Sequence, residues 1–298
     1  MERRQFARMK GFNPQFSTRR PGRGFAFKEL LVVLIVIGML VAFVVPMLRA
    51  AKQRSLGLQC ADHLRQIGQG VLQYMSENRG ALPRTRASLD ANARPTWGTG
   101  AASPEPFGES GPAINDVTAG PFLLIRQELV APGAFVCPLT TVTVDDFGRD
   151  PRGAMGRSNF SDVKANLGYS FANVYAHQSG EGRANYRMRG SGDLAYAADR
   201  NPGLRNADND GADDVRRPVE EAPASIMRLG NSNNHAKMGQ NILYCDGRVA
   251  WSEHPLAGCL DDNIFTRAAR PYGAASDLKD PLGNPRDTMD SMLLPTDD

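Results

Sequence analysis

The sequence predicts an α+β protein in which one long N-terminal helix packs on a small antiparallel sheet with long loops. Three observations predict this fold class. An uncharged apolar run extends from Leu30 to Leu48, an apolar stripe of helical spacing continues it, and short strand-like segments with a hairpin signal lie near the C-terminus. With 298 residues the chain is long enough for a head with a sizeable core of its own.

The apolar run has the length of a transmembrane helix. It covers 19 residues without a charge, and about 20 are needed to cross a hydrocarbon core. Seven basic residues and one acid precede Gly24, and such a flank favours the cytoplasmic side of the membrane. We therefore predict a basic leader at 1–24, a transmembrane helix at 25–48 and an extracytoplasmic remainder.

An ordinary signal peptide is the main alternative, because it also has a basic start and an apolar middle. Its apolar region usually runs about 7–15 residues and ends in a small-residue site. Here the run is longer, and Ala50-Ala51 after Arg49 match that site poorly. A mature chain beginning near Lys52 would indicate this alternative.

The leader also accounts for the net positive charge of the sequence. The whole chain has a formal net charge of +3, and removal of the leader would change this to −3. The positive balance is therefore no sign of a nucleic-acid partner, and we expect none.

Gly24 and Phe25, followed by Glu29, an aliphatic helix and Pro46, resemble the N-terminus of type IV prepilins, which pilins and type II secretion pseudopilins share. The resemblance implies a pilin-like fold, cleavage by a prepilin peptidase between Gly24 and Phe25, and methylation of the new N-terminal Phe25. It also implies a single-pass protein of the inner (cytoplasmic) membrane that associates with itself or with other pseudopilins. Lys28 departs from the family, which usually has an apolar or small polar residue there.

Glu29 also has a physical interpretation of its own. The amine freed on Phe25 would be cationic in lipid, and a carboxylate four residues on can neutralise it, within one subunit or on a neighbour. The alternative is that Glu29 lies at the headgroup boundary and is solvated. Pro46 is expected to bend the helix.

The helix is predicted to continue through an extracytoplasmic part at 49–80, followed by a globular head at 81–298. The continuation has apolar residues at spacings of three and four: Leu56, Cys60, Leu64, Ile67, Val71 and Met75. Stop signals follow at Asn78, Gly80 and Pro83. Residues 84–118 are rich in Pro, Gly, Ser and Ala, which predicts a loop.

The head is predicted to contain short strands at 134–137, 168–171 and 194–197, and a hairpin within 240–251. In the hairpin Asp246-Gly247 separates two alternating runs, and this pair favours the positive φ of a two-residue turn.

The C-terminal region resembles the H-X9-DG part of a bacterial family of prepilin-type proteins, often labelled DUF1559-like. His235 and Asp246-Gly247 carry this resemblance over 235–251, although ten residues separate His235 from Asp246 here. Four further segments are similar to that family: 60–68, 135–138, 199–202 and 293–298.

Three groups of side chains are candidate sites. His235 and Asp246 could pair for base catalysis or ligate zinc, but we favour a structural hydrogen bond for His235 and a turn role for Asp246. The cysteines are Cys60, Cys137, Cys245 and Cys259. In an exported head they favour disulfides, for which Cys60–Cys137 and Cys245–Cys259 are the preferred pairs, with buried free thiols as the alternative.

The third candidate is an oxygen-rich loop that has the spacing of an EF-hand calcium site. Its ligand positions would be Asn206, Asp208, Asp210 and Asp214. Arg217 stands where a bidentate Glu is expected, so a solvated acidic turn is the preferred interpretation. We expect no required cofactor, with Ca²⁺ at this loop as the alternative.

The sequence and the resemblances together predict a pseudopilin-like structural component of a type II secretion or pilus-like system, with an exported head and no enzymatic activity. One alternative is a non-assembling protein that displays a binding head at the cell surface, which Lys28 and the large head favour. Another is a membrane-anchored extracytoplasmic enzyme.

Overall fold

A computed structural model describes residues 27–88, 90, 93–175, 192–204, 215, 218–267, 283–287 and 289–297. The chain divides into two compact units, 1–51 and 52–298. The predicted cleavage site at Gly24 and Phe25 lies outside the described residues.

The long N-terminal helix is confirmed as α1, which spans Phe27–Glu77 and contains Pro46. Among the described residues, α1 is long and apolar enough to cross a membrane by length and composition. Its side chains from Phe27 to Ala51 are exposed. The bend at Pro46 stays a prediction.

The outer part of α1 belongs to the second unit and buries one face. Four of the six residues of the predicted stripe are buried, namely Cys60, Leu64, Ile67 and Val71. The helix ends where the sequence predicts, because the Asn78 side chain donates to the Tyr74 carbonyl at 2.8 Å and Gly80 adopts φ +77°. A single buried face is what a helix needs to pack on a head.

The second unit contains an antiparallel sheet of five described strands, as predicted in outline. Their bounds are β1 Tyr169–Ala172, β2 Ala195–Asp199, β3 Gln240–Tyr244, β4 Val249–Ser252 and β5 Leu293–Leu294. The spatial order is β4-β3-β2-β1-β5, and each neighbouring pair is antiparallel. Strand β2 therefore lies at the centre of the sheet.

Short helical segments connect these elements. The α-helices are α2 Ala119–Arg126, α3 Val163–Asn166 and α4 Ala224–Leu229, and 3₁₀ turns cover Pro132–Phe135, Phe147–Arg149, Gly153–Gly156 and Asn233–His235. The strand predicted at 134–137 is wrong. Pro132 and Gly133 begin a 3₁₀ turn in which Ala134 N donates to Ala131 O at 3.0 Å. The turn includes Phe135, and the backbone becomes extended at Val136.

The hairpin is confirmed, but its two-residue turn is wrong. Tyr244 N donates to Arg248 O at 2.9 Å, so three residues lie between the paired positions. Gly247 occupies the last of these with φ +88°, a backbone conformation that favours glycine. Asp246 accepts from Arg248 N at 2.9 Å, which is the turn role expected for it.

The predicted loop contains no helix or strand in the described part of 84–118. It is nevertheless fixed by the buried carboxylate of Asp116. One oxygen accepts from Thr118 N and Ala119 N at 3.0 Å each, and the other accepts from Thr99 N at 2.9 Å. The carboxylate thus joins the loop to the start of α2.

Both faces of the sheet are covered by apolar side chains. The larger cluster joins the buried face of α1 to α2 and to one sheet face, through residues such as Leu64, Phe122, Phe135 and Phe171. The smaller cluster includes Ile242, Phe265 and Leu293. Burial of this apolar surface is the main term that holds the unit together.

Gly168 lets β1 approach the segment that carries Cys137. A Cβ at Gly168 would lie 2.5 Å from Cys137 N, and Gly168 N donates to Phe135 O at 2.8 Å. We predict that Gly168→Ala forces these backbones apart and lowers the free energy of unfolding by about 1–3 kcal/mol, measured by denaturant unfolding of the full chain in detergent.

Gly133→Ala is the matched control, because a Cβ there meets only Val144 Cγ2 at 4.0 Å. It should change the free energy of unfolding by less than about 1 kcal/mol. Equal stability of the two variants would contradict the tight contact at Gly168.

Candidate functional site

Four polar side chains from separate parts of the second unit meet beside α1. They are Cys60 of α1, Cys137 after the first 3₁₀ turn, Asp199 at the end of β2, and His235 at the end of the last 3₁₀ turn. One potential ligand atom from each lies within 4.8 Å of the others. Neither cysteine nor Asp199 is exposed, and 6% of the His235 side chain is exposed. We call this group the Cys-Asp-His cluster.

Asp199 is the most fully hydrogen-bonded member of the cluster. Its Oδ2 lies 2.9 Å from His235 Nε2 and accepts from Asn241 N at 2.7 Å. Its Oδ1 accepts from Asn234 Nδ2 at 3.2 Å. These contacts hold the carboxylate and the imidazole in one orientation, as a buried charge requires.

Neighbouring residues also hold His235 and the backbone beside Cys137 in place. The rings of His235 and Trp251 pack edge to face, with ring centroids 5.2 Å apart. His63 Nδ1 lies 2.7 Å from the carbonyl oxygen of Val136, which precedes Cys137. The Tyr169 hydroxyl donates to the same carbonyl at 3.4 Å. Residues on α1 and β1 therefore hold the backbone that presents Cys137.

The cluster changes the acidity of its members. The hydrogen bond from Cys137 has the largest effect on Cys60 and, with His235, lowers the pKa of that thiol to about 6 against the opposing effect of burial. The same hydrogen bond and burial raise the pKa of Cys137 far above the usual value. The shared hydrogen bond thus favours the thiolate form of Cys60 and the thiol form of Cys137.

Burial acts to lower the pKa of His235, but hydrogen bonds to Asp199 and Cys60 outweigh it and raise the pKa to about 9. These hydrogen bonds favour the protonated form of the imidazole, which lies between Asp199 and Cys60. This arrangement favours positive charge at the centre of the cluster.

The four cysteines have free thiols in the structure, and all are buried. The structure has neither the expected Cys60–Cys137 disulfide nor the expected Cys245–Cys259 disulfide, although it places Cys60 and Cys137 side by side; both disulfides stay predictions. Buried free thiols, the alternative to disulfides, are what the structure contains. In a packed interior, a free cysteine behaves as a small apolar residue.

His235 does not pair with Asp246, as the catalytic or zinc interpretation of these two residues would need. Asp246 is partly exposed and forms an ion pair with Arg248, Oδ2 to Nε, at 3.2 Å. The carboxylate that His235 contacts is Asp199, and this contact is of the structural kind preferred for this histidine. Asp246 serves the hairpin turn.

The remaining candidates are placed as follows. Glu29 lies in the first turn of α1 and is exposed; its role in charge neutralisation stays a prediction. The calcium-loop residues Asn206, Asp208, Asp210 and Asp214 lie outside the described residues.

Sequence reasoning missed Asp199 as a site residue. It closes the strand Ala195-Tyr196-Ala197-Ala198-Asp199, whose five residues are all buried. An acid at the end of such an apolar strand is a usable signal, because a buried carboxylate needs partners. The sequence does not show which partners these are, since His235, Asn234 and Asn241 come from a distant segment.

The cluster is compatible with three kinds of chemistry. Two thiols, an imidazole and a carboxylate form a ligand set suited to zinc. Cys60, His235 and Asp199 are the residue types of a nucleophile, a base and an orienting group, but Cys60 has no exposed surface. Oxidation of the two neighbouring thiols to a disulfide is the third.

A cleft of about 790 Å³ lies on the outer side of His235. Its walls are mostly apolar and include Leu58, Leu139, Met238 and Trp251. His235 is the cluster residue that lines it, so the imidazole lies between the buried thiols and the cleft.

Comparison with known proteins adds no relative: no family model, no curated protein and no solved structure matches the chain.

We predict that all four thiols react when the full chain, purified without reductant, is denatured in the presence of a chelator and a thiol reagent. In the folded protein they should react far more slowly, because each is buried. The free thiols of the structure would be contradicted by two results together: only two reactive thiols per denatured chain, and a peptide pair linked by a Cys60–Cys137 disulfide in mass spectrometry.

Proposed function

We propose that the chain is a membrane-anchored, pseudopilin-like structural protein whose head lies outside the cytoplasmic membrane. The observation that carries the proposal is the change in side-chain exposure along α1. From Phe27 to Leu48 its apolar side chains are exposed, and examples are Phe43 at 74% and Met47 at 71%. From Cys60 onward one face of α1 is buried in the core.

The exposed apolar part of α1 needs an apolar environment. A patch of this size is unusual on a soluble monomer, whereas a lipid bilayer or a bundle of identical helices would cover it. The prepilin-like residues Gly24, Phe25 and Glu29 support the same interpretation. In this proposal cleavage frees the Phe25 amine, the Glu29 carboxylate neutralises it, and the helices of neighbouring subunits associate.

A second candidate is a protein that uses the same anchor without assembling. The apolar cleft beside His235 favours it, because a concave apolar surface of this size is typical of a ligand site. Lys28 favours it as well, since a second charge near the start of the helix opposes close packing of helices in lipid.

Photo-crosslinking separates the two candidates. A benzophenone amino acid in place of Val33 should give covalent dimers in membranes when the subunits associate. Glu29→Gln should lower the yield at least about tenfold, because it leaves the Phe25 amine without its counter-charge. The matched control is Glu77→Gln, a similar change at an exposed position at the other end of α1, and it should retain the yield.

Mass spectrometry of the mature chain must accompany this experiment. A chain that begins with methylated Phe25 and gives dimers in the native form, but not in Glu29→Gln, supports the structural proposal. A correctly matured native chain without dimers supports display without assembly. A chain that begins near Lys52 would overturn the membrane-anchored proposal.

A further inference from the structure

We propose that Cys60, Cys137, Asp199 and His235 bind one zinc ion that fastens the head onto α1. The proposal concerns the interior of the head, and it holds whether or not the protein assembles into filaments.

The geometry of the donors is the first argument. Zinc binds cysteine sulfur at about 2.3 Å, histidine nitrogen at about 2.0–2.1 Å and carboxylate oxygen at about 2.0–2.2 Å. Tetrahedral ligands at these lengths lie roughly 3.3–3.8 Å apart. The four donors already lie within 4.8 Å of one another, so small side-chain movements would close the site.

The closure of the site is the second argument. A structural zinc site has four protein ligands, whereas a catalytic site keeps one position open to water or substrate. Cys60, Cys137 and Asp199 have no exposed surface, and His235 separates them from the cleft. The group has four donors in an enclosed position, as a structural site requires.

The third argument is the support around the donors. A metal ligand is usually oriented by a further hydrogen bond. Asn241 N and Asn234 Nδ2 donate to the Asp199 carboxylate, and the His63 ring contacts the carbonyl of Val136 beside Cys137 at 2.7 Å. Asn234 Nδ2 also donates to Gly168 O at 2.7 Å. The site is therefore tied to α1, β1 and β3 before any ion binds.

Charge is the fourth argument. Zinc binds cysteine as the thiolate, so the Cys137 thiol and the protonated imidazole would each lose a proton on binding, and the two buried thiolates and the carboxylate would then repel one another without a cation. A divalent cation among them offsets this repulsion directly. A Cys60–Cys137 disulfide would neutralise the sulfurs but join only two segments, while zinc would join the four segments that meet at the cluster.

Metal analysis of the full chain in detergent, purified without chelator, tests the proposal. We expect about one zinc per chain in the native protein and less than about 0.1 in Cys60→Ser or His235→Gln. Cys259→Ser is the matched control, because Cys259 is a buried free thiol outside the cluster. It should retain one zinc per chain.

A second measurement covers the case in which the cluster variants fail to fold. The native protein is stripped with a chelator under mild conditions and titrated with Co²⁺ alone. A site with two thiolates should take up one equivalent and show thiolate-to-cobalt charge transfer together with the visible bands of tetrahedral cobalt. Zinc added afterwards should abolish this spectrum.

Three results would overturn the proposal. One is native protein without zinc that also gives no tetrahedral cobalt spectrum. Another is a Cys60–Cys137 disulfide in the native protein. The third is full zinc content in both Cys60→Ser and His235→Gln. None of these results bears on the membrane anchor, so this proposal and the proposed function can fail separately.

Discussion

The buried carboxylate of Asp199 is the constraint on which the head depends. It lies at the end of the central strand β2 with no exposed surface, and a buried charge without partners costs several kcal/mol. The fold supplies those partners from one segment, 234–241, through Asn234, His235 and Asn241. Solvation of one carboxylate by the protein thus fixes where β3 begins and where the imidazole points.

The position of His235 then determines the chemistry of the head. Its ring lies between Asp199 and Cys60, and the hydrogen bonds to both raise the pKa of the imidazole to about 9. Cys60 comes from the first buried turn of α1, and Cys137 is held beside it by contacts from His63 and Tyr169. Four segments far apart in sequence therefore meet at one point, and what binds there would hold α1 to the sheet.

The sequence predicts those parts of the fold that local physics controls. The aliphatic run and the stripe from Leu56 to Met75 predict α1, since helical periodicity is a strong signal. The alternation around Asp246-Gly247 predicts the hairpin, although its turn has one residue more than expected. The composition of 84–118 predicts a loop. In each case the residues of the element itself are enough to predict it.

Long-range contacts account for what the sequence does not predict. The strand expected at 134–137 is instead a 3₁₀ turn, which Pro132 and Gly133 begin. The two-residue strand β5 is a strand only because it pairs with β1. The cysteine count indicates disulfides in an exported head. In the structure, however, Cys60 and Cys137 are free thiols that lie beside Asp199 and His235. The residues around Asp199 do not indicate its hydrogen-bond partners, so only the fold reveals them.

X-ray absorption at the zinc edge of the natively purified chain tests the central claim most directly, because it reports the atoms bound to the metal. The account predicts about two sulfur neighbours at about 2.3 Å and about two nitrogen or oxygen neighbours at about 2.0–2.2 Å. A shell of nitrogen and oxygen alone would contradict it, since such a metal would not be bound by Cys60 and Cys137.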